Sequence, residues 1–79
     1  MTTDDIKDII RAAQLTQADL AREMVEDLPE RSATQLSYTI TGERDYPDIQ
    51  EWLAKRFGMS REVMFDKVFW AVANVRKSA

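Results

Sequence analysis

The sequence contains neither cysteine nor histidine, and it has only two glycines and two prolines. Without cysteine the chain forms no disulfide and no thiolate metal site, and without histidine the commonest general base and zinc ligand are missing. The acidic groups Asp4-Asp5-Asp8 and Glu43-Asp45-Asp48 lack the ligand number and the glycine turn of a calcium loop. We therefore expect a protein that is not an enzyme and that holds no metal and no cofactor.

Long apolar segments are absent too, since no run approaches the ~20 residues that span a bilayer. The first residues, Met1-Thr2-Thr3-Asp4-Asp5, are acidic and lack the basic and apolar regions of a signal peptide. We therefore expect a cytoplasmic protein. The 79 residues are enough for one domain, and because so short a chain buries little surface, dimerisation is a natural way to gain buried area.

An excess of basic charge is also missing, and the formal net charge of −3 disfavours nucleic acid as a partner. The charges are unevenly distributed, however. Residues 1–30 carry a net charge of −5 and residues 31–79 a net charge of +2. The segments 31–42 and 67–79 contain no acidic residue. Because a DNA-facing surface needs to exclude carboxylates only locally, the overall charge does not exclude DNA.

Apolar residues at helical spacing predict an all-α domain. The third predicted helix contains Ser37-Tyr38-Thr39-Ile40-Thr41, a β-branched and aromatic segment that is also compatible with a strand. We favour a helix because a lone strand has no partner in this chain. The five predicted helices are 3–14, 16–26, 32–41, 47–57 and 60–76.

Capping signals mark the ends of these helices. Thr16 with Asp19, and Ser32 with Gln35, have the spacing of a capping box at a helix start. Gly42 is placed to end the third helix. Pro47 begins the fourth helix, Gly58 ends it, and Ser60 caps the fifth.

The last predicted helix is apolar on more than one face, which is too much for one buried side in a small domain. Part of this helix is therefore expected to contact a second subunit. The predicted dimer contacts are Phe65, Phe69, Trp70 and Val72, although the helical spacing of the aromatic residues also suits the core.

Three ordered segments and one glycine resemble a known family. The order is a capped helix, a connection, a polar helix closed by glycine, and a packing helix, and the residues are Leu15-Thr16-Gln17-Ala18-Asp19-Leu20-Ala21, Ser32-Ala33-Thr34-Gln35-Leu36-Ser37, Gly42, and Ile49 to Ser60. Together they resemble the Cro/lambda-repressor-like (Xre-type) helix-turn-helix domains over about Ile6 to Phe65. The connection from Val25 to Arg31 is longer than the family's usual tight turn and contains Pro29.

The resemblance implies a compact five-helix domain that binds double-stranded DNA as a homodimer, with the helix 32–41 in the major groove. In that family the glutamine that matches Gln17 touches a phosphate, and the start of the recognition helix reaches base edges. Glutamine can pair with adenine, and serine and threonine with several bases. The implied DNA contacts are Gln17, Arg31, Ser32, Ala33, Thr34, Gln35, Ser37, Tyr38 and Arg44.

Each of these assignments has a structural alternative. Gln35 is equally suited to a capping box, and Tyr38 to the edge of the core with its hydroxyl in water. Arg31 and Arg44 are equally ordinary as solvated surface charges. The size and organisation are typical of a phage or bacterial repressor without a cofactor. The alternative function is a protein-interaction module, antitoxin-like or anti-regulator, on the same scaffold.

Overall fold

The computed structural model describes the backbone of residues 1–78 and the side chains of residues 1–75. Over the described backbone the chain is helical and contains no strand, which confirms the all-α prediction and the helical assignment of residues 37–41. No helix in this range is long and apolar enough to cross a membrane. The helices are α1 (Thr3–Ala12), α2 (Gln17–Asp27), α3 (Ala33–Thr41), α4 (Pro47–Arg56), α5 (Arg61–Met64) and α6 (Lys67–Ser78).

Side-chain caps fix where the first three helices begin. Thr2, Thr16 and Ser32 each accept a hydrogen bond from the backbone N–H three residues later, and the side chain of that later residue accepts one in return. Each of these helix starts therefore satisfies two backbone donors that would otherwise lack a partner. The capping boxes predicted at Thr16 and Ser32 are confirmed.

The single helix predicted over 60–76 is wrong, because the segment forms two helices. The Oδ1 atom of Asp66 accepts a hydrogen bond from the backbone N–H of Phe69 at 3.0 Å and so begins a new helix. Ser60 caps the short α5, as predicted. The break lets Met64 and Phe65 on one side of it, and Phe69 and Ala73 on the other, all reach the interior. A continuous helix would have spread these side chains over more than one face.

The helices enclose one contiguous apolar core. α3 is central to it, because it packs against α1, α2 and α4. Its Leu36 and Ile40 are fully buried, as are Leu20 of α2 and Leu53 of α4. The inner face of α3 is therefore held on three sides, and its outer face lies at the surface.

A buried hydroxyl joins α1 to α3. Thr3 is 2 % exposed, and its Oγ1 donates a hydrogen bond to the carbonyl of Ile40 at 3.0 Å. Ile40 lies in the last turn of α3, where the carbonyl has no partner within the helix. We expect Thr3→Val to lower the free energy of unfolding by about 1–2 kcal/mol, because this carbonyl is left buried and unpaired. Urea denaturation measures this loss.

Thr39→Val is the matched control. Thr39 is also buried, and its Oγ1 donates to the carbonyl of Gln35 at 2.9 Å. That carbonyl lies inside α3, where the backbone N–H ladder already reaches it. The control should lose less than about 0.5 kcal/mol, since no group is left without a partner. Equal losses in the two variants would contradict the assigned role of Thr3.

Candidate nucleic-acid interface

The outer face of α3 begins with small, uncharged side chains. Ala33 and Thr34 are exposed, and Ser37 and Tyr38 are half-buried. Leu36, which lies between Thr34 and Ser37 in the chain, is fully buried in the core. The structure thus brings four of the residues predicted to contact DNA onto one accessible surface. We call Ala33, Thr34, Ser37 and Tyr38 the outer face of α3.

The segment that forms α3 contains no carboxylate of its own, although Glu30 and Glu43 lie close to it in the chain. No carboxylate occurs between Arg31 and Gly42, and acidic residues resume at Glu43, beyond the end of α3. The first turn of α3 also contains no acidic side chain, so the partial positive charge of its N-terminus is not neutralised there. Free backbone N–H groups and a positive dipole end are what a phosphate group prefers.

The side-chain oxygen of Gln35 takes part in a capping box, the structural alternative to a base contact. Its Oε1 accepts a hydrogen bond from the backbone N–H of Ser32 at 3.0 Å, and its own N–H donates to Ser32 Oγ at 3.3 Å. The amide NH₂ group makes no hydrogen bond with any residue that the structure describes. Gln35 and Ser32 therefore fix the geometry of the first turn, and the amide nitrogen of Gln35 is left to donate to a ligand.

Arg31 does not lie on the surface as a free cation. Its Nε donates to Asp48 Oδ2 at 2.8 Å and its Nη2 to Asp48 Oδ1 at 3.1 Å, a bidentate ion pair. The guanidinium also lies over the ring of Tyr46, 4.6 Å from its centroid. We call Arg31, Tyr46 and Asp48 the Arg31 clamp. Two roles were predicted for Arg31, a phosphate contact and a solvated surface charge. Neither describes this arrangement.

The clamp perturbs the acid that completes it. The hydrogen bond from Arg31 is the main reason that the pKa of Asp48 lies below its ordinary value of 3.8, and the same bond raises the pKa of Arg31. A carboxyl with a lowered pKa in the folded state stabilises the fold above its unfolded pKa. This contribution is lost as the pH falls through the lower, folded value.

The pH dependence of stability tests this linkage. We expect the melting temperature of the wild type to fall as the pH drops below about 4, and Asp48→Asn to show a shallower fall. Thermal unfolding at a series of pH values, followed by circular dichroism, measures both curves. Parallel curves for the two proteins would mean that the Asp48 carboxyl is not linked to folding.

Gln17 and Arg44, the predicted phosphate contacts, lie before and after α3 in the chain and differ in exposure. Gln17 is the first residue of α2 and is half-buried. Arg44 follows α3, is exposed, and makes no ion pair with any residue that the structure describes. Arg44 is therefore available as a phosphate contact, whereas Arg22 on α2 pairs with Asp19.

Two carboxylates of the second half of α2, those of Glu23 and Asp27, are used within the chain. Arg56 of α4 pairs with Glu23 at 2.9 Å, and the indole N–H of Trp52 donates to Asp27 at 2.8 Å. These contacts tie α2 to α4 and neutralise part of the negative charge of residues 1–30. The partners lie 33 and 25 residues apart in the chain, so local sequence motifs do not predict these contacts.

The residues predicted to form a dimer interface divide into two pairs. Phe65 and Phe69 are 6 % and 1 % exposed and pack edge to face at 4.9 Å, so they belong to the core of the chain and not to its surface. The prediction of these two as contacts is corrected by their burial. Trp70 and Val72 are half-buried. The most exposed apolar side chains of α6 are Val68 and Val75, which the sequence analysis did not select.

A shallow groove between α2 and the start of α3 was also not foreseen. It is lined by Ala18, Ala21, Arg22 and Val25 of α2 and by Ala33 of α3. Val25 is 41 % exposed, although its apolar spacing is that of a core residue. The connection at residues 28–32 joins the two helices that line this groove.

Possible metal ligands do not gather anywhere in the part of the chain that the structure describes: no group of three or more acidic residues forms a cation site. No model of a protein family matches this chain, and it has no significant match among curated proteins or solved structures.

Proposed function

We propose that this chain is a sequence-specific DNA-binding regulator of transcription, acting as a repressor with α3 in the major groove. The observation that carries the proposal is the outer face of α3. Its exposed residues are small and uncharged, and its inner face is locked into the core against three helices. A rigid helix with an accessible, acid-free first turn is what major-groove recognition requires.

The chemistry of this face suits base edges. Thr34 and Ser37 can donate to or accept from several bases, and Ala33 can contact the methyl group of thymine. Gln35 can offer its amide nitrogen, and Tyr38 can contact a sugar or a thymine methyl one turn along the helix. Ser32 contributes through its cap, which leaves the first turn of α3 well ordered.

Phosphate contacts are assigned to Gln17 and Arg44, which lie on either side of the outer face of α3 in the chain. They hold the register of the protein on the duplex without reading sequence. The resemblance to helix-turn-helix domains supports the role of Gln17. The exposure of Arg44, without an ion-pair partner among the described side chains, supports its role.

A homodimer would place two recognition helices about 34 Å apart, one turn of DNA, over a pseudo-palindromic site. Trp70 and Val72, with the exposed Val68 and Val75, give α6 the apolar surface that such a dimer would bury. Repression then follows from occupation of a promoter.

A protein-interaction module is the second candidate, because the groove beside Val25 and the valines of α6 are exposed apolar surfaces. Ionic strength separates the two functions. DNA binding weakens in proportion to the phosphates neutralised, whereas a hydrophobic protein interface responds weakly to salt.

Selection from a randomised duplex pool at low salt tests the proposal. We expect enrichment of a pseudo-palindrome, and a loss of enrichment in the double variant Thr34→Ala, Ser37→Ala, whose removed hydroxyls point to no partner that the fold needs. Affinity for the enriched duplex should fall steeply with added salt. A folded wild type that enriches no sequence would overturn the proposal and favour the protein-interaction module.

A further inference from the structure

The side chain of Arg31 ties the connection between α2 and α3 to α4. Residues 28–32 link the two helices, and within them the N–H of Arg31 donates to the carbonyl of Leu28 at 3.0 Å, forming a turn. The side chain of Arg31 leaves this turn and reaches Asp48, in the first turn of α4. Ser32, which caps α3, is the very next residue.

The contacts of Arg31 fix its direction as well as its distance. The two parallel hydrogen bonds to Asp48, at 2.8 and 3.1 Å, allow one orientation of the guanidinium plane. The ring of Tyr46 below that plane restrains the third direction. The side chain is 27 % exposed, so it is partly withdrawn from water. The backbone two residues before α3 is thereby held against α4.

We propose that Arg31 is a positioning residue: through the Arg31 clamp it sets the orientation of α3 and thereby the affinity for DNA, and it contacts no phosphate itself. This inference rests on the proposed function, because the orientation of α3 matters only if α3 meets a ligand. It also accounts for the long α2–α3 connection. A five-residue bridge restricts the backbone that enters α3 less than a tight turn does, and the clamp restrains that backbone in addition to the core packing of α3.

The DNA affinities of two variants distinguish a positioning role of Arg31 from a phosphate contact. Asp48→Asn removes an acid and releases Arg31, so it should strengthen binding if Arg31 serves a phosphate. The clamp predicts that the same variant weakens binding. Arg31→Lys keeps the charge but loses the bidentate fork, so a phosphate contact would largely survive it, while the clamp would not.

The experiment measures affinity for the duplex enriched from a randomised pool, by fluorescence anisotropy over a series of salt concentrations. Both Arg31→Lys and Asp48→Asn should weaken binding about tenfold, the scale of one charge-assisted hydrogen bond. The slope of log affinity against log salt should stay that of the wild type. The double variant should be no weaker than either single variant, since both break one unit.

Arg44→Ala is the matched control, because Arg44 is proposed to meet a phosphate. For this variant the slope of log affinity against log salt should fall in magnitude by about 0.9. Circular dichroism and a thermal melt establish that each variant is folded at the temperature of the measurement. If Arg31→Lys does not fold, the isosteric variant Asp48→Asn still tests the clamp.

Three results would overturn the clamp. Tighter binding by Asp48→Asn would do so, as would a reduced salt slope in a further variant, Arg31→Ala, measured in the same salt series, and in both cases DNA binding itself would stand. A wild type that binds no duplex would remove the proposed function, and the positioning role with it.

Discussion

Replacing Gly42 with alanine is expected to lower the free energy of unfolding by about 3 kcal/mol. Gly42 ends α3 with φ of 80°, a left-handed conformation that costs other residues about 1–2 kcal/mol. A Cβ atom at this position would also lie 2.6 Å from the Cβ of Ala73 and 3.2 Å from the ring of Phe69. Relieving that overlap requires α6 to move, at a cost of about 1–3 kcal/mol. Urea denaturation measures the sum.

Gly58→Ala separates the two causes. Gly58 has φ of 73°, but a Cβ atom there would meet nothing within 4 Å. Its variant should lose only the conformational cost, about 1 kcal/mol. Adding Ala73→Gly to the Gly42→Ala variant should recover part of the steric loss, because the overlapping methyl is gone. Equal destabilisation by the two glycine substitutions would show that the approach of α6 to Gly42 carries no energetic weight.

Placing a carboxylate on the outer face of α3 is expected to abolish most of the DNA affinity while sparing the fold. Thr34→Glu should weaken binding about 100-fold, because a charge of the same sign as the phosphates, at the centre of an interface, costs several kcal/mol. Thr34 is exposed, and a glutamate in the first turn of a helix is favourable with the dipole. The melting temperature should therefore stay level or rise slightly. Anisotropy binding curves and thermal melts measure the two effects.

Val63→Glu is the control for this substitution. Val63 is 53 % exposed and lies on α5, so the variant adds the same charge elsewhere on the surface. It should bind DNA within about threefold of the wild type, since a distant charge acts only through the screened long-range field. If both variants weaken binding alike, the effect belongs to net charge and not to the outer face of α3.

Local signals in the sequence were sufficient for most of the fold. The capping boxes at Thr16 and Ser32 and the glycine that ends α3 depend on residues only a few positions apart, and such rules transfer directly to structure. The break between α5 and α6 was missed because the apolar residues on both sides of it were assigned to one helix over 60–76. The cap of Asp66 on Phe69 was visible in the sequence as an acid three residues before an apolar side chain.

Local signals in the sequence predict only part of the candidate site. The exposure of Ala33 and Thr34 follows from helical periodicity once Leu36 and Ile40 are assigned to the core. The state of Arg31 does not follow, because its partner Asp48 is 17 residues away and meets it only after α3 and α4 have packed. The burial of Phe65 and Phe69 likewise depends on how the break before α6 turns the chain.

Titration of the isotope-labelled protein with the enriched duplex shows whether α3 meets DNA through its outer face. Backbone amide shifts, followed by nuclear magnetic resonance, should be largest over residues 33–38, with further changes at Gln17 and Arg44. Shifts confined to α5 and α6, or no shifts at all with the protein folded and the duplex in excess, would contradict the account.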